Sequence, residues 1–418
     1  MTSPRRARVS LARVPLPNPV ESAGTVAAPP GFGVLELLLG GLAALGPMSI
    51  DMYLPALPEI GKDLGVLTAD VQYSLASFFV GFAAAQLIAG SLVDRYGRRR
   101  PLLLALALYV LTSLGCAAAP SNDWLIACRL LQGLAGSMAV VVPRAVVRDL
   151  HSGPAAVHML SRLMLIMGVA PIVAPLLGSW VLTAFGWRAI FVFLAGFGAL
   201  TMFACLRLLP ETGRPRDTAS TLRAQLRALA HEPDFRVYTL CGGFSSAAMF
   251  AYIAGSAFVF IEVYQVHPDH YGYLFGLNAF GLIAASQLNR VLVGRFTAVQ
   301  VLGAATSLAA LAALALLAVA TSGAGGLWSV AATLFLFLSS LGILGPNSTA
   351  LALEHHGQRA GLASAVLGSL QFTIAAGAAA AVSAQHEHSA VPMALVVAIA
   401  ACLSWLCFML RRRDVAPA

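Results

Sequence analysis

The chain is a succession of apolar runs, each long enough to cross a lipid bilayer, with short polar joints between them. The runs fall at roughly 34–56, 71–93, 101–119, 124–147, 159–184 and 188–209. After a polar gap they resume at roughly 237–263, 271–293, 299–320, 327–351, 359–383 and 390–410. A membrane helix needs about 20 apolar residues to cover the hydrocarbon core. Lipid offers no partner to a bare N–H or C=O, so a spanning segment must satisfy its own backbone or close into a barrel. Barrel strands are about ten residues long and alternate in polarity, and these runs do neither. The sequence therefore predicts an all-α membrane protein with twelve transmembrane helices in two groups of six. Composition agrees: 59% of the 418 residues are hydrophobic and 11% are charged, against about 25% charged in soluble domains. A soluble enzyme, a disordered chain and a nucleic-acid module are excluded as the bulk of the chain.

The net charge of +8 is no sign of a nucleic-acid partner, because 25 of the 26 basic residues are Arg and they cluster beside the apolar runs. With the N-terminus in the cytoplasm, Arg5, Arg6, Arg8, Arg13, Arg95, Arg98, Arg99 and Arg100 lie inside. So do Arg144, Arg148, Arg162, the basic group within 207–236, Arg290, Arg295, Arg359 and Arg411 to Arg413; the outer side keeps Lys62 and Arg188. That asymmetry predicts an even number of spans and two cytoplasmic termini in a cell inner membrane. The organisation read from it is a disordered cytoplasmic tail over 1–33, six helices over 34–209, a linker over 210–236, six helices over 237–410 and a tail over 411–418. The tail lacks the apolar core and cleavage site of a signal peptide. In the linker, Leu222, Leu226 and Leu229 recur at helical spacing among arginines, which fits either an amphipathic helix on the inner leaflet or a loose connector. The six cysteines sit inside apolar segments without metal spacing, and His355-His356 and His386-Glu387-His388 fall in loops, so no metal site is expected.

Charges inside a membrane are costly and usually functional. Asp51, in Gly46-Pro47-Met48-Ser49-Ile50-Asp51-Met52-Tyr53-Leu54-Pro55, lies about 26 Å above the inner face at 1.5 Å per residue. Arg129, counted down from the outer face, lies about 23 Å up in a core of about 30 Å. At matching depths the two can pair across the bundle. Burial and a nearby cation pull a carboxyl's proton affinity in opposite directions, so such a site can load a proton in one state and lose it in another. Asp51 is thus the candidate proton-coupling acid and Arg129 its charge partner. The alternatives are a permanent ion pair between helices, or an Asp51 solvated in the outer headgroup zone. Glu36 and Glu262, near span ends, are expected to reach water. Gln132, one turn from Arg129, can bind substrate or a neighbour, and Gly133 on that side suits a close helix contact.

The loop after the second run reads Gly90-Ser91-Leu92-Val93-Asp94-Arg95-Tyr96-Gly97-Arg98-Arg99-Arg100. Gly97 suits a tight turn, and Asp94 at a helix C-terminus calls for a partner against the macrodipole. This G-x-x-x-D-R-x-G-R-R pattern resembles the signature loop of the major facilitator superfamily. Arg129-x-x-Gln132-Gly133 is similar to that family's fourth-helix motif. Ser49 to Pro58, Val147-Arg148-Asp149-Leu150 and Phe250-Ala251-Tyr252-Ile253 resemble the Bcr/CflA drug-resistance subfamily, and the likeness covers 34–410. In Gly168 to Ser179, Pro171, Pro175 and Gly178 stand in the region of the family's antiporter motif, with Ala170, Ala174 and Ser179 where the motif has Gly. The second half holds only a remnant of the loop signature, Asn289-Arg290 and Gly294-Arg295.

The resemblance implies proton-coupled export of small drug-like molecules by alternating access, with Gly90, Asp94, Arg95, Gly97, Arg98 and Arg99 forming a gating loop and Arg129 tied to proton coupling. A cavity for such cargo is mostly apolar and aromatic with few polar groups. Its candidate lining is Met48, Tyr53, Gln132, Met167, Met249, Phe250, Tyr252, Tyr273, Asn278, Asn347 and Gln371. No phosphate-binding G-x-x-x-x-G-K-[ST] occurs, so direct ATP drive is not expected; the resemblance implies the proton gradient as the energy source, with no cofactor. No His-Glu-x-x-His or Gly-x-Ser-x-Gly cluster points to an enzyme. The expected partners are a small-molecule substrate, protons and the lipid bilayer, and the protein is expected to be a monomer. The rival within the same fold is an exporter of a metabolite or amino acid.

Overall fold

Every apolar run becomes a helix in the computed structural model, which describes residues 32–151, 153–213, 229, 231–354, 360–385 and 389–415. The first run is broken: α1 (Phe32–Asp51) is followed by a turn, one 3₁₀ turn over Leu54–Ala56, and α2 (Leu57–Leu64). Then come α3 (Thr68–Tyr96), α4 (Arg99–Ala117), α5 (Asn122–Leu150), α6 (Gly153–Phe185) and α7 (Trp187–Leu208). The second half holds α8 (Pro233–Ala257), α9 (Pro268–Leu292), α10 (Ala298–Ser322), α11 (Gly326–Leu353), α12 (Ala360–Ser383) and α13 (Val391–Val415). A π-helical stretch, Phe258–Val263, extends α8. The described residues contain no strand. Leu229 of the linker is buried; Leu222 and Leu226, residues 1–31, and the histidines at 355, 356, 386 and 388 lie outside the described residues.

The packing repeats itself. In the first half α3 lies on α5, α4 on α5 and α7, and α1 on α6; in the second α9 lies on α11, α10 on α11 and α13, and α8 on α12. These are the same pairs shifted by six spans. The two seams between the halves, α3 on α12 and α6 on α9, are likewise one another's counterpart. The fold is thus two six-helix bundles related as repeats, the build of many secondary carriers.

Small residues set the closeness. A Cβ on Gly133 of α5 would stand 2.1 Å from the Phe78 carbonyl oxygen of α3, and one on Gly342 of α11 would stand 2.1 Å from that of Leu282 in α9. Both repeats therefore bring the same pair of helices into backbone contact, where dispersion between close-packed helices replaces a hydrophobic drive that lipid cannot supply. Ten of the spans are long and apolar enough to cross a membrane on that ground alone. α3, with Gln72 and Gln86, and α9, with Asn278, Gln287 and Asn289, are more polar, and these two run along the seams.

Candidate functional site

The break in the first span follows from Pro55. Proline has no N–H and its ring collides with the carbonyl four residues back, here that of Asp51. Asp51 is therefore the last residue of α1, at a helix end deep in the protein and only 4% exposed. The 3₁₀ turn that follows touches α8 and α9 of the other half. The corresponding place in the second half is the π-helical stretch after α8. Interrupted helices at matching positions of two repeats are where such folds place their sites.

Asp51 lies near the second half, within electrostatic range of the hydroxyls of Tyr252 and Tyr271. Tyr252 accepts a hydrogen bond from Asn278 Nδ2 at 3.0 Å and stacks on Phe275 at 5.5 Å between centroids, and Tyr271 shares a 2.8 Å hydrogen bond with Ser256. Below this group an aromatic cluster crosses the seam. Phe79 and Phe82 of α3 meet Phe250 of α8 and Phe372 of α12, at 4.5 Å for Phe79–Phe250 and 4.4 Å for Phe82–Phe372.

Arg129 is elsewhere. It is fully buried inside the first half, with its guanidinium carbon 4.4 Å from the Phe78 centroid, 4.7 Å from that of Tyr53 and 5.9 Å from that of Phe191. Nη1 donates to Gln132 Oε1 at 2.6 Å, and Gln132 Nε2 donates to Ser113 Oγ at 2.7 Å. Nε and Nη2 have no hydrogen-bond partner among the described residues. Ring faces, each worth about 2 kcal/mol when desolvated, thus stand where a carboxylate was expected, and Asp51 is not among the groups acting on Arg129. Tyr53, just past the end of α1, takes the place beside Arg129.

The other lining candidates divide. Phe250, Tyr252 and Asn278 gather near Asp51 or in the aromatic cluster. Met48 is buried, and Met167 and Met249 are partly buried against the same core. Gln371 faces Gly242 on α8. Asn347 donates to Asn289 Oδ1 at 2.7 Å and to the Ile343 carbonyl at 2.8 Å, inside the second half. Tyr53, hydrogen-bonded to Ser74 at 2.6 Å, and Gln132 are fully buried within the first half and reach no cleft in this arrangement. Tyr273 is a correction: it is 66% exposed, on one outward stripe of α9 with Leu277, Phe280, Leu288 and Val291. It meets lipid, whereas Tyr271, two residues before it, turns inward. We expect Tyr273→Leu to leave transport within about twofold of wild type in membrane vesicles, as for an isolated surface change.

Pro175 and Gly178 are buried and Pro171 is partly so. A Cβ on Gly178 would lie 2.2 Å from the Met52 carbonyl oxygen, so α6 presses on the broken first span beside Asp51. Glu262 is partly exposed and also accepts a 2.5 Å hydrogen bond from Thr68 Oγ1 across the two halves. Glu36 is partly buried near the start of α1.

The signature loop is held from both sides. Gly97 adopts φ +84°, which only glycine takes freely. Arg98, 8% exposed, donates from Nε to Asp149 Oδ2 at 2.9 Å and from Nη1 to the Val93 carbonyl at 2.6 Å. Arg99 Nη2 donates to the Leu206 carbonyl at 2.6 Å. Arg95 lies exposed over the Tyr96 ring, Gly90 is half-buried, and Asp94 belongs to α3 with its side chain outside the described residues. Glu211, just past α7, accepts from the backbone N–H groups of Arg98 at 2.6 Å, Arg99 at 3.1 Å and Gly213 at 3.0 Å. It is a carboxylate clasping a helix N-terminus from a distant segment, a favourable place for negative charge. Glu211→Gln should loosen the loop by about 1 kcal/mol, read as faster amide exchange at residues 97–100 with the rest of α4 unchanged.

A broken first span with a buried carboxylate, set between two six-helix repeats, defines a polytopic membrane carrier. The chain belongs to the Major Facilitator Superfamily, whose family model matches residues 39–381. It is 36% identical to an uncharacterized MFS-type transporter, YdgK, of Bacillus subtilis (strain 168), over 90% of this chain and 94% of that one. It is 32% identical to a bicyclomycin resistance protein homolog of Haemophilus influenzae, over 90% and 95%. The fold superposes on a bacterial homolog of the human lysosomal transporter Spinster, solved inward-facing and occupied, with TM-score 0.72 at 16% identity over 94% and 100% of the two chains. The resemblance to the Bcr/CflA drug-resistance group thus extends along nearly the whole length.

Proposed function

We propose that the protein exports small drug-like molecules in exchange for protons, by alternating access between the two bundles. The observation that carries the reading is Asp51: a carboxyl side chain 4% exposed, at a helix break, within electrostatic range of two tyrosines of the opposite half. Loading or unloading a proton there alters an interaction between the halves, which is what coupling to a rocking motion requires. The bicyclomycin-resistance relative supports drug-like cargo, and the aromatic cluster around Phe250 supplies a surface for it. In this reading the arginine-rich end faces the cytoplasm, both termini lie there, the membrane is the bacterial inner membrane, and a single chain works with the proton gradient and no cofactor. The far end, bearing Lys62 and Arg188, is then outside.

The test is flux of a panel of cationic and neutral drugs in proteoliposomes under an imposed pH gradient. Gradient-dependent movement of at least one is expected. Drug-independent behaviour, with release of an amino acid or metabolite instead, moves the reading to the same-fold metabolite exporter.

A further inference from the structure

At the far end the two halves line a partly open cavity of about 240 Å³, and Asp51 is not among its lining residues. Its walls come from α2 and the start of α3 on one side, and from α8 with its π-helical stretch, α12 and α13 on the other. Most of the lining is apolar, Phe258 and Met393 among it. Polar side chains break that lining, Thr68, Gln385 and Ser389 among them, and two acceptors matter most. Gln72 is 2% exposed and its Oε1 has no hydrogen-bond partner among the described residues. An orphaned acceptor in a buried position costs roughly 1–3 kcal/mol until a donor meets it. The Glu262 carboxylate, already accepting from Thr68, carries the negative charge. Lys62 also lines the cavity but is exposed, on a flexible stem that can swing to water.

We propose that this cavity is a second ligand site, taking a small molecule with an apolar body and a cationic amine head whose N–H groups donate to Gln72 Oε1 and Glu262. A carboxylate head finds two acceptors there and is rejected. The volume, below the roughly 300–1,000 Å³ of drug-sized sites, limits the ligand to about one aromatic ring and a short chain. Because both halves supply walls, an occupied site favours the arrangement in which the far end is closed. That last consequence rests on the alternating-access reading; the site itself does not.

The probe is phenethylammonium, titrated calorimetrically into the full chain in lipid nanodiscs, with 3-phenylpropionate as the anionic control. Saturable binding of the amine and none of the acid is expected. Gln72→Leu, which removes the orphaned acceptor, and Val382→Phe, which fills the cavity and leaves its polar groups alone, should each weaken binding about tenfold, the scale of one lost charge-assisted hydrogen bond. Asp51→Asn should bind as wild type does. Absence of binding, a change under about threefold in both cavity variants, or loss in Asp51→Asn with the cavity variants intact overturns the site; the last places the amine in the centre. In proteoliposomes, phenethylammonium on the far side should slow flux of a larger substrate in wild type and not in Gln72→Leu. Unslowed flux with Gln72-dependent binding overturns the clamp alone. Wild type that moves no substrate at all defeats the transport reading and leaves the binding result standing.

Discussion

Asp51→Asn should abolish the response of flux to a pH gradient while leaving the protein folded and able to exchange substrate down its own gradient. Asparagine keeps the shape and the capacity to hydrogen-bond, and removes the proton that has to be carried. A loss of at least about tenfold in gradient-driven flux is expected, since one pK unit of differential proton binding between two states corresponds to about 1.4 kcal/mol. Substrate counterflow without a gradient should stay within about threefold of wild type, because opening and closing of the cleft do not require the charge. Intact gradient-driven flux at equal protein levels removes Asp51 from the mechanism and leaves the fold untouched. Glu262→Gln is the companion measurement. It keeps an acceptor for Thr68, so gradient coupling should survive if Asp51 is the coupling acid.

Gly133→Ala should strongly destabilise the first half. The new Cβ would meet the Phe78 carbonyl oxygen at 2.1 Å, a backbone atom that can retreat only if α3 moves away from α5. Overpacking of this sort costs about 1–3 kcal/mol and sometimes more. α3 cannot retreat alone, because its other side forms the seam with α12, where Ser369 Oγ donates to the Ala83 carbonyl at 3.0 Å. A lower melting temperature of the purified protein and reduced membrane levels are expected, with Gly136→Ala as the control. A Cβ there has only the tip of the Phe78 ring, at 3.8 Å, as a neighbour. Equal melting of the two variants would show that the helices tolerate separation.

The helices were legible because lipid leaves a chain so few choices: length, apolarity and the arginine asymmetry suffice for number and order. Burial was legible as well, since charges placed inside apolar runs are expected to turn inward, and Asp51 and Arg129 are buried in the protein. Direction was not. A span interrupted at Pro55 loses the regular 100° step that relates one side chain to the next, so nothing in the string of letters tells which way Asp51 turns. Tyr273 is a separate matter: in the unbroken α9 the regular step places it opposite Tyr271, and which of the two turns inward depends on how the helix packs. Glu211 was invisible for a different reason. Two of its three partners are backbone N–H groups more than a hundred positions away, and backbone donors carry no sequence signal. Asp149 had a trace, in Val147-Arg148-Asp149-Leu150, but its bond to Arg98 shows only once α5 and the loop are folded together.

The short turn between α1 and α2 carries two loads. Asp51 lies near the second bundle, and Tyr53 lies on the guanidinium of Arg129 within the first. These residues are joined by a single intervening position, Met52, whose carbonyl is pinned by the close approach of Gly178. In the proposed coupling, a twist of that joint that moved the carboxylate relative to Tyr252 and Tyr271 would also shift the phenol ring against the cation. An event at the boundary between bundles would then reach the interior of one of them over three residues.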